Sequence, residues 1–309
     1  MRERPRRVPR AIGPGFDLMS SKLRRPAPRR GTVSRSSLIG QLTRDDSRPI
    51  VSVVAPPGYG KTTVLAQWAE RLGPRVAWVS CDKADADAVR FWTAFIEAPR
   101  AIEPGFGADA ADLLAMDRTM SADVVASVAN DVADLPAGSA IVVDDFHYAA
   151  AAAAPDMTDL IERWPSETVQ LVLAGRFDPP LRQHRLRMSG QLAEIRDRDL
   201  YFSLTESRDL LANFGVQVPE AELALLHQRS EGWPAALQMA ALSLRGTTDP
   251  ARLARAIEVR GAGIADYFIS EVLEQQAPEV AQFMLDTSIL VGVLTADLCA
   301  AVTGRPDAA

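Results

Sequence analysis

The residues with the clearest chemistry lie in the stretch Ile50 to Thr63, which reads IVSVVAPPGYGKTT. An apolar, β-branched run ends in a loop rich in proline and glycine, and the loop opens into a helical pattern. Glycine takes backbone angles that aim successive N–H groups inward, and the helix dipole adds positive charge. This arrangement predicts a cradle for the phosphates of a nucleotide. We expect the cradle to be formed by Pro57, Gly58, Tyr59, Gly60, Lys61, Thr62 and Thr63.

Lys61 and Thr62 have specific expected roles in this loop. The ammonium of Lys61 is expected to reach the β- and γ-phosphates, and the hydroxyl of Thr62 to complete the ligand shell of Mg²⁺. The chain has only two other lysines, Lys22 and Lys83, and uses arginine at most other basic positions. A lysine at this position therefore indicates a need for its compact ammonium charge. We also expect Lys61 to face solvent, so that its replacement by alanine barely affects folding.

One position departs from the Walker A pattern of phosphate-binding loops. The pattern G-x-x-x-x-G-K-[ST] begins with a glycine, and this chain has Ala55 at that place. Alanine is the smallest substitute for glycine, and the loop still ends in GKTT. The nucleotide-binding interpretation therefore stands.

A second pair of candidate residues ends the apolar run Ala140 to Asp145, which reads AIVVDD. The run predicts a short buried strand with two carboxylates at its C-terminal end, which is the Walker B arrangement. Phosphoryl transfer to water needs a metal, an aligned water and a base, but no covalent partner. We therefore expect Asp144 to hold Mg²⁺ and Asp145 to orient the attacking water or take its proton. An apolar run that ends in two aspartates is a weak signal by itself. It indicates a Walker B motif here because a phosphate-binding loop lies about eighty residues upstream.

Two further polar residues follow predicted strands. Arg176 comes after an apolar run that ends at Gly175, and ligands bind beyond the carboxyl ends of strands in open α/β sheets. Arg176 either senses the γ-phosphate or forms a structural salt bridge, and spacing alone does not separate these interpretations. His147 follows the two carboxylates, and we interpret it as a surface or hydrogen-bonded loop histidine rather than a catalytic one.

Strands and helices alternate in the first two thirds of the chain, which predicts a parallel sheet with helices on both faces. We expect a loop around Pro99 to Gly107. The predicted fold class is thus an α/β P-loop NTPase. Strands are expected at 50–54, 76–80, 140–145, 168–174 and 191–195, and helices at 33–42, 64–72, 85–98, 121–135 and 157–164.

From Leu204 onward the strand patterns stop, and helical segments begin and end at proline and glycine. We expect helices at 205–214, 219–230 and 234–244, and further amphipathic helices from about residue 256, the first around Ile264, Phe268, Val272 and Leu273 and the next around Val280, Phe283 and Met284. The predicted organisation is a flexible basic arm (1–30), a P-loop nucleotide-binding domain (31–203), a helical lid domain (204–255) and a partial winged-helix-like domain (256–309).

Composition narrows the class of protein further. The two cysteines, Cys81 and Cys299, lie far apart and give neither a metal-binding spacing nor a disulfide framework, which favours a cytoplasmic setting. No run of 18 or more apolar residues indicates a membrane span. The net charge is −6, yet the first thirty residues carry ten Arg and Lys against two acidic residues. This arm either contacts nucleic acid or an acidic surface, or is a disordered leader, or results from an upstream start codon with Met19 as the true start.

With these residues in view, the chain resembles the nucleotide-binding core of the STAND ATPases, in the branch of large LuxR-type, MalT-like transcriptional regulators. The resemblance runs from Ser21 to the C-terminus. The blocks that carry it are SKLRRP (21–26), VSRSSL (33–38), APPGYGKTTVLAQWA (55–69), VAWVSCD (76–82), RFWTAFIEA (90–98), IVVDDFHYA (141–149), LVLAGRFDPPLRQHRLR (171–187), EGWPAALQMAALSL (231–244) and FMLDTSIL (283–290).

The resemblance implies a conformational switch that is closed over ADP at rest and that opens for self-association with inducer and ATP. It implies that Arg176 is the arginine after the sensor strand, that Val33 and Arg35 approach the adenine, and that Gly232-Trp233-Pro234 is the family's GxP element, which contacts nucleotide. Full-length relatives continue into sensor repeats and a helix-turn-helix, whereas this chain is expected to end inside the winged-helix domain. We therefore expect no DNA binding by these residues themselves.

Three functions of different classes are consistent with these features. The first is an ATP-dependent switch module of a transcriptional regulator, with slow hydrolysis as a timer. The second is a small-molecule P-loop kinase, for which Arg182, Arg185 and Arg187 are candidate lid arginines, although paired carboxylates suit water activation better. The third is a module that binds nucleotide for assembly without turnover, in which Asp145→Asn changes nothing.

Overall fold

The computed structural model describes residues 18–27, 31–43, 48–165, 169–245, 276–288 and 295–304. The chain divides into two compact units, Met1–Phe202 and Ser203–Ala309, and each is described by itself. The finer domain limits given above stay predictions.

A five-stranded parallel sheet forms the centre of the first unit. Its strands are β1 (Ile50–Val54), β2 (Val76–Ser80), β3 (Ser139–Asp144), β4 (Val169–Gly175) and β5 (Leu192–Arg196). Their order in the sheet is β2-β3-β4-β1-β5. The register pairs Val54 with Gly175 and Ser80 with Asp144. Because the strands are parallel, the residues after β1, β3 and β4 meet at one edge of the sheet.

Helices cover both faces of this sheet, which confirms the predicted fold class. Within strand β3, the side chains of Ile141 and Val143 enter one apolar core and those of Ala140 and Val142 enter the other, as the two-residue period of a strand requires. The helices are α1 (Ser36–Leu42), α2 (Lys61–Leu72), α3 (Ala88–Glu97), α4 (Ala108–Asp117), α5 (Ala122–Ala133), α6 (Ala150–Glu162), α7 (Gln183–Met188) and α8 (Asp197–Leu200).

The two cores differ in the helices that supply them. Helices α1 and α2 cover one face, where Trp68 is fully buried. Helices α3, α5 and α6 cover the other face, where Phe91, Trp92 and Phe95 form a cluster of aromatic rings. The apolar stripes predicted on these helices therefore face the core and not a ligand, and they fix the positions of the strand ends that carry the polar residues.

Helices α4 and α6 depart from the sequence-based prediction, and the short helices α7 and α8 were not predicted either. Helix α4 was not predicted, because most of its apolar residues are alanines and only Ala110 and Leu114 are buried, so the periodic signal is weak. Helix α6 begins at Ala150, seven residues before the predicted start. The alanine run before Met157 has high helix propensity but no apolar period.

A short 3-10 helix, Ser20–Leu23, lies within the predicted flexible arm and differs from the little order expected there. Of the arm, the structure describes residues 18–27, and the remaining positions lie outside the described residues. Lys22 holds this turn, because its Nζ lies 2.5 Å from Asp85 Oδ2 and 3.0 Å from Asp82 Oδ2. Asp85 is almost fully buried, and its carboxylate also accepts a hydrogen bond from the backbone N–H of Asp82.

The change Lys22→Met is expected to lower the free energy of unfolding by about 2–3 kcal/mol, because it leaves a buried carboxylate without its counter-charge. The matched control is Lys83→Met, in which an exposed lysine is replaced. Urea denaturation of both variants measures the difference. Equal stabilities of the two variants would contradict the anchoring role of Lys22.

The second unit is helical in its described residues. Its helices are α9 (Leu204–Asn213), α10 (Glu220–Ser230), α11 (Pro234–Leu244), α12 (Pro278–Thr287) and α13 (Ala296–Thr303). Ser203 and Glu206 form a capping box at the start of α9, which satisfies its first free N–H groups. The first three helices confirm the predicted ones, and α12 contains the predicted Val280, Phe283 and Met284. The helix predicted around Ile264, Phe268, Val272 and Leu273 lies outside the described residues.

Within the described ranges, every helix is too short or too polar to span a bilayer.

Candidate nucleotide-binding site

The loop between β1 and α2 has the backbone of a phosphate cradle. Gly58 and Gly60 have φ values of 81° and 80°, in the left-handed region that glycine adopts without a steric cost. Gly60 is the N-cap of α2, which begins at Lys61. The first N–H groups of this helix therefore point out of its N-terminus, where the helix dipole favours anions.

Ala55 fits the loop because this position does not need glycine. It is absent from the positive-φ residues of the described chain, its side chain is buried, and its N–H donates to the carbonyl of Gly175 at 3.3 Å. The departure from the Walker A pattern is thus accommodated by an ordinary backbone conformation, and a small apolar side chain packs into the core there.

Lys61 is buried, which corrects the expectation that it faces solvent. Only 7% of it is exposed, and its Nζ donates to the carbonyls of Ala55 at 2.6 Å and Pro56 at 3.1 Å. Burial lowers the pKa of Lys61, while the nearby carboxylates of Asp145 and Asp144 oppose this and the charge of Arg176 adds to it. A desolvated ammonium interacts more strongly with a phosphate than a hydrated one does.

A hydrogen bond joins the two motifs that were predicted separately. Thr62 Oγ1 donates to Asp144 Oδ2 at 2.7 Å, and the N–H of Asp145 donates to Asp144 Oδ1 at 3.1 Å. A hydroxyl and a carboxylate are the hard oxygen ligands that Mg²⁺ prefers, and this ion commonly uses one or two carboxylates together with phosphates and waters. Among the described residues, no cluster of three or more His, Cys, Asp or Glu forms a metal cage. The oxygens of Thr62 and Asp144 fit a magnesium ion whose other ligands are phosphates and waters.

Burial and the charge of Asp145 raise the pKa of Asp144 to about 6. The hydrogen bonds from Thr62 and from the backbone N–H of Asp145, together with the charge of Lys61, act in the opposite direction but are weaker. The raised pKa lies above the ordinary one, so the folded state binds a proton more readily than the unfolded state. The stability that Asp144 contributes is therefore present at low pH and is lost as the pH rises from about 4 to about 6.

We expect Asp144→Asn to remove this pH dependence. Without Mg²⁺, the free energy of unfolding of the parent should fall relative to that of the variant by up to about 3 kcal/mol over this range. Asparagine keeps one of the two side-chain oxygens and can accept one of the two bonds from Thr62 and Asp145. The loss of the other bond lowers the free energy of unfolding by a similar amount at every pH, so the comparison of the two pH profiles is unaffected. Urea titrations at several pH values give the difference, and parallel pH profiles would contradict the raised pKa.

Asp145 differs from Asp144 in backbone and exposure. Its φ is 55° and its ψ is 35°, a left-handed conformation that aspartate tolerates better than most residues. Its side chain is 42% exposed, whereas Asp144 is 3% exposed. The turn after β3 therefore directs one carboxylate inward to Thr62 and the other toward solvent, where a water molecule can approach. Unusual backbone angles of this kind concentrate at functional sites.

Arg176 directly follows β4, and its positive charge lowers the pKa values of both Lys61 and His147. Its guanidinium thus acts electrostatically on the P-loop lysine and on the turn after β3, as its place at this sheet edge predicts. Whether it contacts a γ-phosphate stays a prediction.

Val33 and Arg35 are fixed at the side of the P-loop helix. Gln67 on α2 donates through Nε2 to the carbonyl of Val33 at 2.7 Å and accepts from the N–H of Arg35 at 3.0 Å. The guanidinium of Arg35 donates to the carbonyls of Leu200, Asp199 and Tyr201 at 2.8, 3.2 and 3.2 Å and lies over the ring of Phe202. Arg35 therefore joins this segment to the end of the sheet domain, and an adenine contact stays a prediction.

The sequence reasoning missed Gln67 and Tyr201. The ring of Tyr201 lies 5.6 Å from the ring of Tyr59 in the P-loop, centroid to centroid. Neither residue belongs to a phosphate-binding motif, and a single glutamine on a helix carries no signal for the segment that it holds.

Gly232 and Pro234 belong to the second unit. Gly232 has a φ of 71°, and Pro234 is the first residue of α11, where proline loses no helix hydrogen bond. Their local geometry is that of a tight turn into a helix, and their predicted contact with nucleotide stays a prediction. Pro57 and Thr63 lie in the P-loop and in the first turn of α2, as expected.

The chain is similar to known proteins along most of its length. Residues 44–179 match the family model described as AAA domain, and residues 269–309 match the MalT winged helix domain. The chain is 29% identical over 294 residues to the serine/threonine-protein kinase PknK of Mycobacterium tuberculosis, covering 93% of this chain and 26% of PknK. It is also 29% identical over 293 residues to the HTH-type transcriptional regulator MalT of Cronobacter sakazakii, covering 93% of this chain and 32% of MalT.

The fold is shared with a solved structure. The Walker-type ATPase of Pyrococcus abyssi aligns with a TM-score of 0.59 at 14% identity, covering 93% of this chain and 89% of that chain. Together these matches confirm the predicted P-loop ATPase fold and the resemblance to the MalT-like proteins. The chain spans about a quarter to a third of the length of PknK and MalT.

Proposed function

We propose that the chain, a MalT-like P-loop ATPase core, binds ATP with Mg²⁺, hydrolyses it slowly and acts as the signal-transduction switch module of a transcriptional regulator. The single observation that carries this proposal is the hydrogen bond between Thr62 and Asp144. It brings the two oxygens expected at a shared Mg²⁺ together at the mouth of the phosphate cradle.

Each residue of the site has a proposed part in hydrolysis. The N–H groups at the start of α2 and the ammonium of Lys61 bind the phosphates. Mg²⁺, when bound by Thr62 and Asp144, neutralises charge on the phosphates. Asp145, on its exposed turn, orients a water molecule and accepts its proton. Arg176 responds to the γ-phosphate from the end of β4.

The regulatory part of the proposal draws on the relatives. The match to the MalT winged helix domain and the similarity to an HTH-type transcriptional regulator support a role in regulation. We further propose that the switch is closed with ADP and open with ATP. We also propose self-association in the ATP state and a cytoplasmic location, and we assign contact with DNA to a helix-turn-helix domain rather than to these residues.

The structure offers no comparable support for a small-molecule kinase. The arginines considered for its lid all pair with carboxylates. Arg182 and Arg185 lie 3.0 and 3.5 Å from Glu162, and Arg187 lies 2.8 Å from Glu194. These side chains are engaged on the outside of α6, α7 and β5. The kinase name of PknK describes a protein of which this chain spans 26%.

Light scattering after size exclusion tests the switch. With Mg²⁺ and a non-hydrolysable ATP analogue, the chain should have a larger mass than with ADP, because only the triphosphate favours self-association. The variant Lys61→Ala should give one mass in both conditions. An unchanged mass with both nucleotides, although both bind, would contradict the switch and leave the nucleotide site in place.

A further inference from the structure

The side chain of Gln67 ties residues 33–35 to the P-loop helix. Gln67 follows Lys61 by less than two turns of α2. Its Nε2 donates to the carbonyl of Val33 at 2.7 Å, and its Oε1 accepts from the N–H of Arg35 at 3.0 Å. A parallel strand would bond the same two backbone groups, one on each side of Ser34. The amide of Gln67 thus stands in for a strand and fixes the backbone of residues 33–35 beside the phosphate cradle.

The chain that follows β5 holds the same segment from another direction. The guanidinium of Arg35 donates to the three consecutive carbonyls of residues 199–201. The ring of Tyr201 in turn lies 5.6 Å from the ring of Tyr59 in the P-loop. Both tyrosines are half-buried, so part of each ring is open to a ligand. Residues 33–35 and these two rings therefore form one connected group beside the P-loop.

The strand order separates this group from the metal-binding oxygens. Strand β1, which leads into the P-loop, lies between β4 and β5. Asp144 ends β3 and Arg176 follows β4, whereas Tyr201 follows β5 and α8. In the proposed function the terminal phosphates lie toward Asp144 and Arg176. The opposite end of a nucleoside triphosphate is its ribose and base, which are thus directed toward the side of β5.

We propose that Gln67 is a positioning residue for the ribose and base of the nucleotide. It acts through the backbone of residues 33–35, which it holds where the base half of the ligand extends from the cradle. Tyr59 and Tyr201 supply aromatic surface on the same side, and bases stack readily on aromatic side chains. This role rests on the proposed function, because it requires the phosphates to lie in the P-loop.

The affinity for tripolyphosphate separates this role from a purely structural one. Tripolyphosphate has the phosphate chain of ATP without the ribose and base, so it reports on the cradle alone. If Gln67 only stabilised the fold or the cradle, its replacement would change the affinities for ATP and tripolyphosphate alike, or would change neither. A positioning role predicts that only the affinity for ATP falls.

Isothermal titration calorimetry of the full chain with Mg²⁺ gives the Kd of each ligand. The test variant is Gln67→Met, which keeps the length of the side chain and loses both hydrogen bonds. Gln67→Asn keeps an amide that is too short to reach both backbone groups, and it covers the case in which Gln67→Met fails to fold. The matched control is Gln170→Met near the start of β4, where Nε2 donates to the carbonyl of Arg48 at 3.1 Å.

Gln67→Met is expected to weaken ATP binding about tenfold, because two backbone groups lose their partner, and to leave tripolyphosphate binding unchanged. Gln67→Asn should weaken ATP binding by about threefold or more, and Gln170→Met should change neither affinity. Equal ATP affinity of the parent and the folded Gln67 variants, or an equal loss for both ligands, would overturn the role of Gln67 and leave the nucleotide site in place. A parent chain that binds neither ligand would overturn the proposed function as well.

Discussion

Replacing Lys61 by alanine is expected to weaken ATP binding by about 10³-fold, or about 4 kcal/mol. The ammonium is buried beside the phosphate cradle, and each charge-assisted hydrogen bond to a phosphate contributes more than a neutral one. The same change removes the bonds to the carbonyls of Ala55 and Pro56. We therefore also expect a loss of about 1–2 kcal/mol in the free energy of unfolding without nucleotide.

Titration with a fluorescent ATP analogue measures the affinity, and urea denaturation measures the stability. Lys83→Ala is the matched control, because that lysine is exposed and lies away from the P-loop in sequence. If Lys61→Ala binds ATP as tightly as Lys83→Ala, the P-loop does not hold the phosphates. A variant that fails to fold is identified by its circular dichroism before titration.

The second large effect concerns Asp145. The change Asp145→Asn is expected to lower the rate of ATP hydrolysis by about 10²–10³-fold and to change the affinity for ATP by no more than about twofold. Asparagine also tolerates the left-handed backbone at this position, so the turn after β3 is retained. Only the carboxylate that accepts a proton from water is lost.

Phosphate release under saturating ATP gives the rate, and Asp159→Asn on α6 is the control for an exposed aspartate. Equal hydrolysis by Asp145→Asn and the parent would mean that Asp145 is not the base. If neither protein releases phosphate although both bind ATP, the chain is an assembly module without turnover.

The strand ends could be predicted from sequence because local rules determine them. Apolar β-branched runs predict β1 to β4, and the residue types after β1 and β3 predict where phosphate and metal bind. Parallel pairing then places these ends at one edge. For this reason the sequence places Lys61, Thr62, Asp144 and Arg176 at the same edge of the sheet without any knowledge of their distances.

Burial and long-range contacts could not be predicted in the same way. The sequence indicates a lysine in a loop, but only the folded chain places its ammonium against the carbonyls of Ala55 and Pro56. The guanidinium of Arg35 donates to the carbonyl of Leu200, which lies 165 positions further along the chain. No local sequence pattern predicts such a contact. The burial of His147, whose side chain is 10% exposed, likewise depends on the loop after β4.

The most direct test of the account is a single turnover of ATP. The parent chain is mixed with an equimolar amount of ATP and Mg²⁺, separated from free nucleotide at intervals, denatured and chromatographed. We predict that bound ATP converts slowly to ADP that stays with the protein, and that EDTA or Asp145→Asn preserves the ATP. A protein fraction without nucleotide, or ATP that is still intact in the parent at the end, would contradict the proposal of a hydrolysing nucleotide switch.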